Sequence, residues 1–311
     1  MTVRAAEFFC GIGGFSAAVA GWNVEVVGAY DQSPAALAVY RHNFPGKGAR
    51  QEDLERILSR TITECAAGLW WLSPPCQPYS VRGRHRDLDD PRAKSLLRIL
   101  DLFADLPSGR LPHYLALENV AGFHHSLAHT RLRSLLAVRG YRFHETLLCP
   151  TELGIPSRRR RYYLVASRTG LNPLEPAPVT RRPLIDYLDP HLTDDCPAEL
   201  LVDDKTLSRF GSGFRILDPG DPRAYTTCFT AGYGKSLMHA GSYLRCTNGV
   251  RRFAPEEIAR LLLFPDEFRF PDGIPLRKRW HLIGNSLSVA AVRYVLCALP
   301  GLMPPDAPRN G

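Results

Sequence analysis

Short apolar runs alternate with helix-like segments through the first half of the chain. The runs are Ala5–Phe9, Val24–Tyr30, Gly68–Ser73, His113–Val120, Tyr141–Leu148 and Tyr162–Ser167. Helical patterns lie between several of them, at Pro34–Asn43, Ala93–Ala104 and His129–Arg139. Strands that alternate with helices favour a mostly parallel sheet with helices on both faces, and nearly continuous apolar strands fit burial on both sides. The first half therefore predicts an α/β domain.

The sequence changes character after about Gly170. Residues 171–225 are rich in Pro and Asp and contain few apolar runs, which indicates a second, smaller and irregular domain. Order returns at Phe253–Leu263, where a proline and two glutamates mark the first turn of a helix. A last amphipathic helix is predicted over Ser286–Leu299.

Charge and cysteine content limit the classes of function. The 39 basic and 31 acidic residues give a net charge of +8, which mildly favours a polyanionic partner over a merely solubilising surface. No apolar run approaches the ~20 residues that a bilayer span needs, and the N-terminus does not suit a signal peptide, so we expect a cytoplasmic protein with no membrane contact. The 8 cysteines are scattered without a C-x-x-C pair, so we expect neither a metal site nor a disulfide scaffold.

A glycine-rich turn follows the first apolar run, in EFFCGIGGFS. Gly11, Gly13 and Gly14 allow a tight turn and close approach of the backbone to a ligand. Asp31, at the end of the next run, can accept hydrogen bonds from ribose hydroxyls. Together they suggest S-adenosylmethionine or a dinucleotide. A structural turn, with Asp31 capping the helix that begins at Pro34, is the alternative.

The stretch LSPPCQPYS places Cys76 on a loop stiffened by Pro74, Pro75 and Pro78. Because the loop follows an apolar strand, the thiol is expected at the carboxyl edge of the sheet, where ligands bind in this architecture. An exposed thiolate is a strong nucleophile, whereas most cysteines are buried and structural. Glu118, in LALENVAGF, is expected at the same edge as a proton donor, unless it is a solvated strand-end residue.

Four consecutive arginines precede the strand in SRRRRYYLVAS. Alternation along a strand predicts that Arg159 and Arg161 face one side and that Arg158 and Arg160 face the other. Arginine near Cys76 would stabilise a thiolate and bind a phosphate or a base edge. The alternative is a solvated run of charges.

In this order along the chain, the motifs resemble those of the cytosine-5 methyltransferases of nucleic acids. The ordered set is FFCGIGG, SPPCQP, ENV, SRRRRYYLVAS, EEIARLLLFP and LIGNSLSV. The resemblance implies a Rossmann-like catalytic domain that binds S-adenosylmethionine, at residues 1–170 and 275–311, and a small target-recognition domain at residues 171–274. One departure is Leu263, which stands where the family usually has glycine before Phe-Pro.

The resemblance is strongest to the tRNA-aspartate cytosine-5 methyltransferases, which combine a DNA-methyltransferase scaffold with a tRNA substrate. It rests on CFTAGYGKSLMHAGSYL, PYSVRGRHRDLDDPR, PTELGIPSRRRRYYL and RKRWHLIGNSL. A tRNA substrate is therefore favoured, and duplex DNA is the main alternative. A non-catalytic nucleic-acid-binding homologue and a dinucleotide-dependent oxidoreductase are the alternatives from other classes.

The resemblance also implies a role for individual residues. Cys76 would attack C6 of cytosine, Glu118 would protonate or hydrogen bond N3, and the base would be oriented by Arg159 and Arg161. S-adenosylmethionine would be bound by Phe9, Gly11, Ile12, Gly13, Gly14, Asp31, Gln32, Asp53, Leu54, Ser73, Asn285 and Ser286. The substrate would contact Gln77, Asn119, Cys228, Phe229 and Thr230.

Overall fold

The computed structural model describes residues 2–79, 87–176, 179–194 and 196–304. The strands are β1 (Val3–Phe8), β2 (Val24–Asp31), β3 (Ala49–Gln51), β4 (Leu69–Leu72), β5 (Tyr114–Val120), β6 (Arg142–Leu148), β7 (Arg161–Ser167), β8 (Ile216–Leu217), β9 (Tyr243–Cys246) and β10 (Gly249–Arg252). The helices are α1 (Gly14–Ala18), α2 (Pro34–Asn43), α3 (Ser59–Glu64), α4 (Lys94–Asp105), α5 (Leu127–Val138), α6 (His191–Asp194), α7 (Asp204–Phe210), α8 (Pro255–Leu261), α9 (Leu276–Gly284) and α10 (Val289–Leu296).

A seven-stranded sheet runs in the order β3-β2-β1-β4-β5-β7-β6. Strands β1 to β5 pair in parallel, and β7 is antiparallel to both β5 and β6. The predicted mostly parallel α/β sheet is confirmed, and each predicted apolar run in the first half overlaps one of these strands. The short strand β3 and helix α3 were not predicted, since neither carries a long apolar pattern.

Two consecutive tryptophans on β4 show how the sheet is covered. Side chains of neighbouring strand residues point to opposite faces. Trp70 packs on Phe103 of α4, with ring centroids 5.9 Å apart, whereas Trp71 stacks on Phe15 of α1 at 5.2 Å. Helical residues therefore cover both faces at this strand, as the continuous apolar runs indicated.

The chain divides into two compact units by packing. The first comprises residues 1–148, 160–176 and 292–311, and the second comprises residues 149–159 and 177–291. This division differs from the sequence-based domains at residues 149–159 and 275–291, which pack with the second unit. The boundaries near 170 and 275 remain a prediction about folding domains. Among the described residues, no helix is long and apolar enough to cross a bilayer.

The second unit contains a three-stranded sheet in the order β10-β9-β8. Phe214 stacks on Tyr243 with ring centroids 4.4 Å apart, and Val202 and Val250 complete a small apolar core. Helix α8 begins at Pro255, as predicted, and the amide of Ala254 donates to the Glu257 carboxylate at 2.8 Å. The predicted last helix is present but shorter, over Val289–Leu296.

Helix α8 ends on a residue with left-handed backbone geometry. Leu263 has φ +59°, a region that favours glycine. Its amide donates to the Arg260 carbonyl at 2.9 Å, and the Phe264 amide donates to the Ala259 carbonyl at 3.0 Å. These two bonds form a Schellman motif. Glycine, which the family usually has at this position, adopts such left-handed geometry more readily than leucine does.

Candidate active site

A row of aligned residues brings the predicted motifs to one edge of the sheet. Phe8 pairs with Tyr30 on one side and with Leu72 on the other, and Leu72 pairs with Leu117. The next residue on each of these parallel strands therefore emerges at the same carboxyl edge; these residues are Phe9, Asp31, Ser73 and Glu118. The strand order also reverses between β1 and β4, and ligands bind at such a switch point.

The glycine turn is fixed to the end of β2. The Cys10 amide donates to the Tyr30 carbonyl at 3.0 Å, and the Gly11 amide donates to an Asp31 carboxylate oxygen at 2.9 Å. Gly13 has φ +92°, and a Cβ there would lie 2.4 Å from the Phe44 ring. Glycine is therefore required at this position by both backbone geometry and space.

Asp31 does not cap the following helix. The Ser33 side chain caps α2 by accepting from the Ala36 amide at 3.3 Å, and the Ser33 amide donates to Asp31 at 2.8 Å. Burial raises the pKa of Asp31, and the hydrogen bonds from the amides of Ser33 and Gly11 oppose that rise. The alternative that made Asp31 a helix cap is therefore wrong, and its position beside the glycine turn suits ligand binding.

The edge has room and acceptors for a nucleoside. No atom of the described residues lies within 4 Å of the position where a Cβ would project from Gly11. Each Asp31 oxygen accepts one amide hydrogen bond, and a carboxylate oxygen can accept another from a ribose hydroxyl. The residues present therefore fit S-adenosylmethionine.

The other predicted cofactor residues differ in exposure. Ile12 and Leu54 are buried, while Gln32 and Asp53 are exposed, and Asp53 lies 3.6 Å from the Arg56 guanidinium. Ser73 accepts a hydrogen bond from the Trp71 indole at 2.6 Å. Asn285 and Ser286 belong to the second unit. Cofactor contacts remain a prediction for all of these residues.

Hydrogen bonds to the backbone hold the Cys76 loop. The Ser73 amide donates to the Phe8 carbonyl at 3.3 Å, and the Tyr79 amide donates to the Cys76 carbonyl at 3.1 Å. The Asn119 side-chain amide donates to the Pro74 carbonyl at 3.1 Å. Cys76 is partly exposed, whereas Cys10, Cys65, Cys149 and Cys196 are buried. The arrangement suits a positioned nucleophile better than a core residue.

The loop also packs against the turn that follows Glu118 and Asn119. The Tyr79 ring meets Phe123 edge-on, with centroids 4.9 Å apart. A Cβ added to Gly122 would lie only 2.2 Å from the Tyr79 carbonyl oxygen. This contact was not predicted from the sequence, although the residues Ala-Gly-Phe that follow Val120 indicate a turn. Gly122 lets the two loops approach closely.

Arg92 is another residue that was not predicted from the sequence to belong to the site. Its guanidinium makes two hydrogen bonds to Asp90, at 2.8 and 2.6 Å. These bonds raise the pKa of Arg92, and attraction to the Cys76 thiolate adds to the rise. Arg92 is therefore held as an ion pair with Asp90. Residues 80–86, which belong to the motif PYSVRGRHRDLDDPR together with Arg92, lie outside the described residues.

Glu118 is buried at the edge of the sheet and is only 9% exposed. Its register partner on β7 is Tyr163, and Val120 pairs with Arg161, so residues 118 and 161 share one face of the sheet. The Arg161 Nε lies 3.4 Å from a Glu118 carboxylate oxygen. The alternative of a solvated strand-end glutamate is therefore wrong.

The run of arginines alternates in exposure, as predicted. Arg158 and Arg160 are exposed, Arg159 is buried, and Arg161 is partly buried at the start of β7. The alternative of a fully solvated run is therefore wrong for Arg159 and Arg161. Because only Arg161 lies within a strand, turns and packing, more than strand geometry, set the exposure of the others.

Arg159 gathers several predicted residues within the second unit. Its Nη1 donates to the Phe229 carbonyl at 2.9 Å and contacts the Cys228 sulfur at 3.5 Å. Its Nη2 donates to the carbonyls of Gly284, at 3.4 Å, and Ser286. Cys228, Phe229 and Ser286 are thus brought together around one buried guanidinium. Contacts of Gln77, Asn119, Cys228, Phe229 and Thr230 with a substrate stay predictions.

One cluster of metal-ligand residue types occurs in the described part of the chain. Ligand atoms of His124, His129 and Glu145 lie within 4.8 Å of one another. His129 lies 2.5 Å from the Glu145 carboxylate, and the Tyr162 hydroxyl donates to that carboxylate at 2.7 Å. These hydrogen bonds give the buried His129 and the Glu145 carboxylate partners within the protein.

The mostly parallel sheet carries a glycine turn, an acidic residue at the end of the next strand and a cysteine on an adjacent loop, an arrangement typical of the class of α/β methyltransferases. Residues 3–207 match the family described as C-5 cytosine-specific DNA methylase, and the chain belongs to this family.

Relatives match over nearly their whole length. The tRNA (cytosine(38)-C(5))-methyltransferase of Rattus norvegicus is 30% identical, with 96% of this chain and 99% of the relative covered. The DNA (cytosine-5)-methyltransferase of Dictyostelium discoideum is 27% identical, with 96% and 94% covered. The crystal structure of the S. pombe Dnmt2 methyltransferase superimposes with a TM-score of 0.84 at 28% identity, with 95% and 97% covered.

Proposed function

We propose that the protein transfers a methyl group from S-adenosylmethionine to C5 of a cytosine in tRNA, in the anticodon loop of a tRNA-Asp-like substrate. The tRNA assignment is supported by relatives named tRNA (cytosine(38)-C(5))-methyltransferase, which match this chain over nearly its full length. The observation that carries the chemistry is that a partly exposed Cys76, on the loop after β4, and a buried Glu118, on the neighbouring β5, lie at the same edge of the sheet.

Covalent catalysis overcomes the poor nucleophilicity of C5. The Cys76 thiolate forms a bond to C6 while Glu118 gives a proton to N3, so the C5–C6 π pair becomes available at C5 as in an enamine. S-adenosylmethionine would supply the electrophilic methyl group, whose bond to sulfur breaks as the bond to C5 forms. Solvent water then takes the C5 proton, the C5–C6 double bond forms again as the thiolate leaves C6, and the N3 proton returns to Glu118.

The protein positions these groups before the substrate arrives. Asn119 and Tyr79 hold the backbone on both sides of Cys76. Arg161 orients the Glu118 carboxyl through their contact at 3.4 Å. The target base must leave its stack to reach this edge, which costs less in an RNA loop because the bases there are already partly unstacked.

Methylation of duplex DNA is the second candidate. It is supported by the name of the matching family and by the Dictyostelium discoideum relative, whose name specifies DNA. The covalent chemistry would be the same, and only the polymer would differ.

The deciding experiment is transfer of a labelled methyl group to tRNA and to duplex DNA in parallel, followed by bisulfite sequencing of both products. We expect label in tRNA at one loop cytosine, and label confined to duplex DNA would refute the tRNA assignment.

Cys76→Ala should abolish transfer. The matched control is Cys297→Ala, which removes an exposed thiol outside the loop. A tRNA containing 5-fluorocytosine should trap the wild-type protein covalently. A Cys76→Ala variant that retains full activity would contradict the covalent mechanism.

A further inference from the structure

A cluster of arginines surrounds one tyrosine in the second unit. The Cζ of Arg158 lies 4.0 Å from the centroid of the Tyr225 ring, and that of Arg215 lies 4.4 Å from it. Arg181 and Arg223 adjoin the same tyrosine through the backbone of residues 223–225. We call Arg158, Arg181, Arg215, Arg223 and Tyr225 the Tyr225 cluster. All four arginine side chains are exposed, whereas Tyr225 is half-buried.

Backbone hydrogen bonds hold these side chains in place. Arg181 donates from Nη2 to the carbonyls of Arg223, at 2.6 Å, and Ala224, at 3.2 Å. Arg215 donates from Nε to the Tyr225 carbonyl at 3.4 Å. The guanidiniums of Arg181 and Arg215 are therefore arranged before any ligand binds, which lowers the entropic cost of binding.

The backbone beneath Arg158 is fixed as well. The Arg158 amide donates to the Thr226 carbonyl, and the Thr226 amide donates to the Pro156 carbonyl, both at 2.9 Å. Residues 156–158 thus run beside residues 224–226. The position of the Arg158 guanidinium over the Tyr225 ring follows from this pairing.

The positive charge of the cluster is poorly neutralised by the protein itself. In the part of the chain that the structure describes, Arg158, Arg181 and Arg215 form no ion pair with a carboxylate. Arg223 lies 3.9 Å from Asp221, but its side chain is 89% exposed, so that pair contributes little. Solvated arginines would separate to reduce their repulsion, and stacking on Tyr225 offsets only part of it. An anion is the natural complement.

A cleft beside the cluster indicates the kind of anion. Its volume is about 240 Å³, and its walls include Arg158, Arg181 and Tyr225, with Ile155 and Pro156 as apolar lining. Sites for drug-sized ligands occupy about 300–1,000 Å³, so this cleft suits one nucleotide moiety of a longer polymer. The guanidinium fork matches phosphate oxygens, and a tyrosine face suits an unstacked base or ribose.

We propose that the Tyr225 cluster binds the phosphate backbone of the RNA substrate, with the adjacent cleft receiving one nucleotide. This inference rests on the proposed tRNA substrate and assigns part of its recognition to residues outside the predicted catalytic set. It gives Arg158, the first arginine of the SRRRR run, a role separate from those of Arg159 and Arg161.

The test measures tRNA binding by the full-length protein at several salt concentrations. The double variant Arg158→Gln/Arg215→Gln should weaken binding by roughly tenfold or more and lower the slope of log K against log salt by about 1 for each phosphate that the variant no longer neutralises. Arg158→Lys/Arg215→Lys should keep most of the slope, because it retains charge but loses the fork. The matched control is Arg209→Gln, which removes an exposed arginine that lies 5.1 Å from the Phe210 ring.

Methyl transfer measured with the same proteins separates the two proposals. The double variant should raise KM for tRNA with kcat nearly unchanged, and Arg209→Gln should change neither. If the wild type methylates tRNA and the double variant binds tRNA with wild-type affinity and salt slope, the Tyr225 cluster is only a surface stack and this inference is overturned. If the wild type methylates only duplex DNA, the proposed tRNA function fails, and the assignment of this cluster to RNA fails with it.

Discussion

The side-chain amide of Asn119 donates a hydrogen bond to the carbonyl of Pro74, two residues before Cys76, across 3.1 Å. Asn119 is buried, and its own carbonyl oxygen accepts from the Val120 amide at 2.8 Å. The bond from Val120 orients the side-chain amide, and the bond to Pro74 ties the Cys76 loop to the end of β5. The sequence predicted contact of Asn119 with substrate, whereas the geometry supports a role in positioning the nucleophile.

Asn119→Ala should slow methyl transfer by about 10–100-fold, because a displaced nucleophile loses its alignment with the substrate. The fall should appear in the single-turnover rate, with little change in KM. Asn172→Ala is the matched control, since it removes an exposed amide that donates to the Cys297 carbonyl at 3.2 Å. An Asn119→Ala protein with the wild-type rate would show that the Pro74 contact does not position Cys76.

Gly122→Ala should impair activity more than it impairs folding. The added methyl group would collide with the Tyr79 carbonyl, so the Cys76 loop or the Gly122 turn must shift. We expect destabilisation of about 1–3 kcal/mol, together with a larger fractional loss of methyl transfer. Gly109→Ala is the control, because in the part of the chain that the structure describes no atom lies within 4 Å of a Cβ at that position. Denaturant melts and rates measured on the same samples separate the two effects, and equal activity of both variants would contradict the expectation.

Arg159→Gln tests whether the buried arginine serves mainly as a scaffold. Shortening the side chain leaves the carbonyls of Phe229, Gly284 and Ser286 without their donor, and each lost hydrogen bond costs about 1 kcal/mol. We expect the free energy of unfolding to fall by about 3 kcal/mol. The neighbouring exposed Arg160→Gln should change it by less than about 0.5 kcal/mol. Wild-type stability with lost methyl transfer would instead favour direct contact of Arg159 with substrate.

Glu7 introduces a dependence of stability on pH. Burial raises the pKa of Glu7 from its usual 4.5 to about 7, although hydrogen bonds from Ser16 and Tyr40 oppose this rise. Because the folded-state pKa lies above the unfolded-state value, the unfolded chain releases this proton first as the pH rises. The contribution of Glu7 to stability therefore falls between pH 4.5 and about 7 and stays low above that range.

Glu7→Gln should remove this pH dependence while keeping an acceptor for Ser16, whose hydroxyl donates to Glu7 at 2.9 Å. At pH 8 the variant should be more stable than the wild type, by up to about 3 kcal/mol. Near pH 4.5 the two proteins should unfold at similar denaturant concentrations. The control is the exposed Glu55→Gln, and a constant difference between Glu7→Gln and wild type at both pH values would contradict the shifted pKa.

Leu263→Gly should be nearly neutral for stability, unlike a glycine elsewhere in the same turn. Relief of the left-handed backbone gains about 1–2 kcal/mol, which offsets the loss of a partly buried side chain. Leu262→Gly, at a buried position with ordinary backbone geometry, should cost about 3 kcal/mol or more. Urea melts of the two variants provide the comparison, and equal destabilisation would show that φ at Leu263 carries no strain.

Much of the fold could be predicted because its pattern is local. The apolar runs that became β1, β2, β4, β5, β6 and β7 are visible in the sequence, and α2 lies where Pro34–Asn43 was predicted. Short elements such as β3 and α3 lack such a pattern, and their residues adopt regular structure through contacts with the rest of the sheet. Composition alone could not predict the boundaries of the two packing units. Residues 149–159 pack with residues 177–291, although residues 160–176 between them belong to the first unit.

The sequence by itself determined the chemistry at the ends of strands: the glycine turn, Asp31, the proline-framed Cys76 and Glu118 each follow an apolar run. In parallel strands, such residues must meet at one edge. Only the tertiary structure decided how they are held. The bond from Asn119 to Pro74, the approach of Gly122 to Tyr79, the carbonyl partners of Arg159 and the arginines around Tyr225 join residues that are far apart in sequence. Such contacts depend on the register and packing of whole elements, which no local pattern of residues encodes.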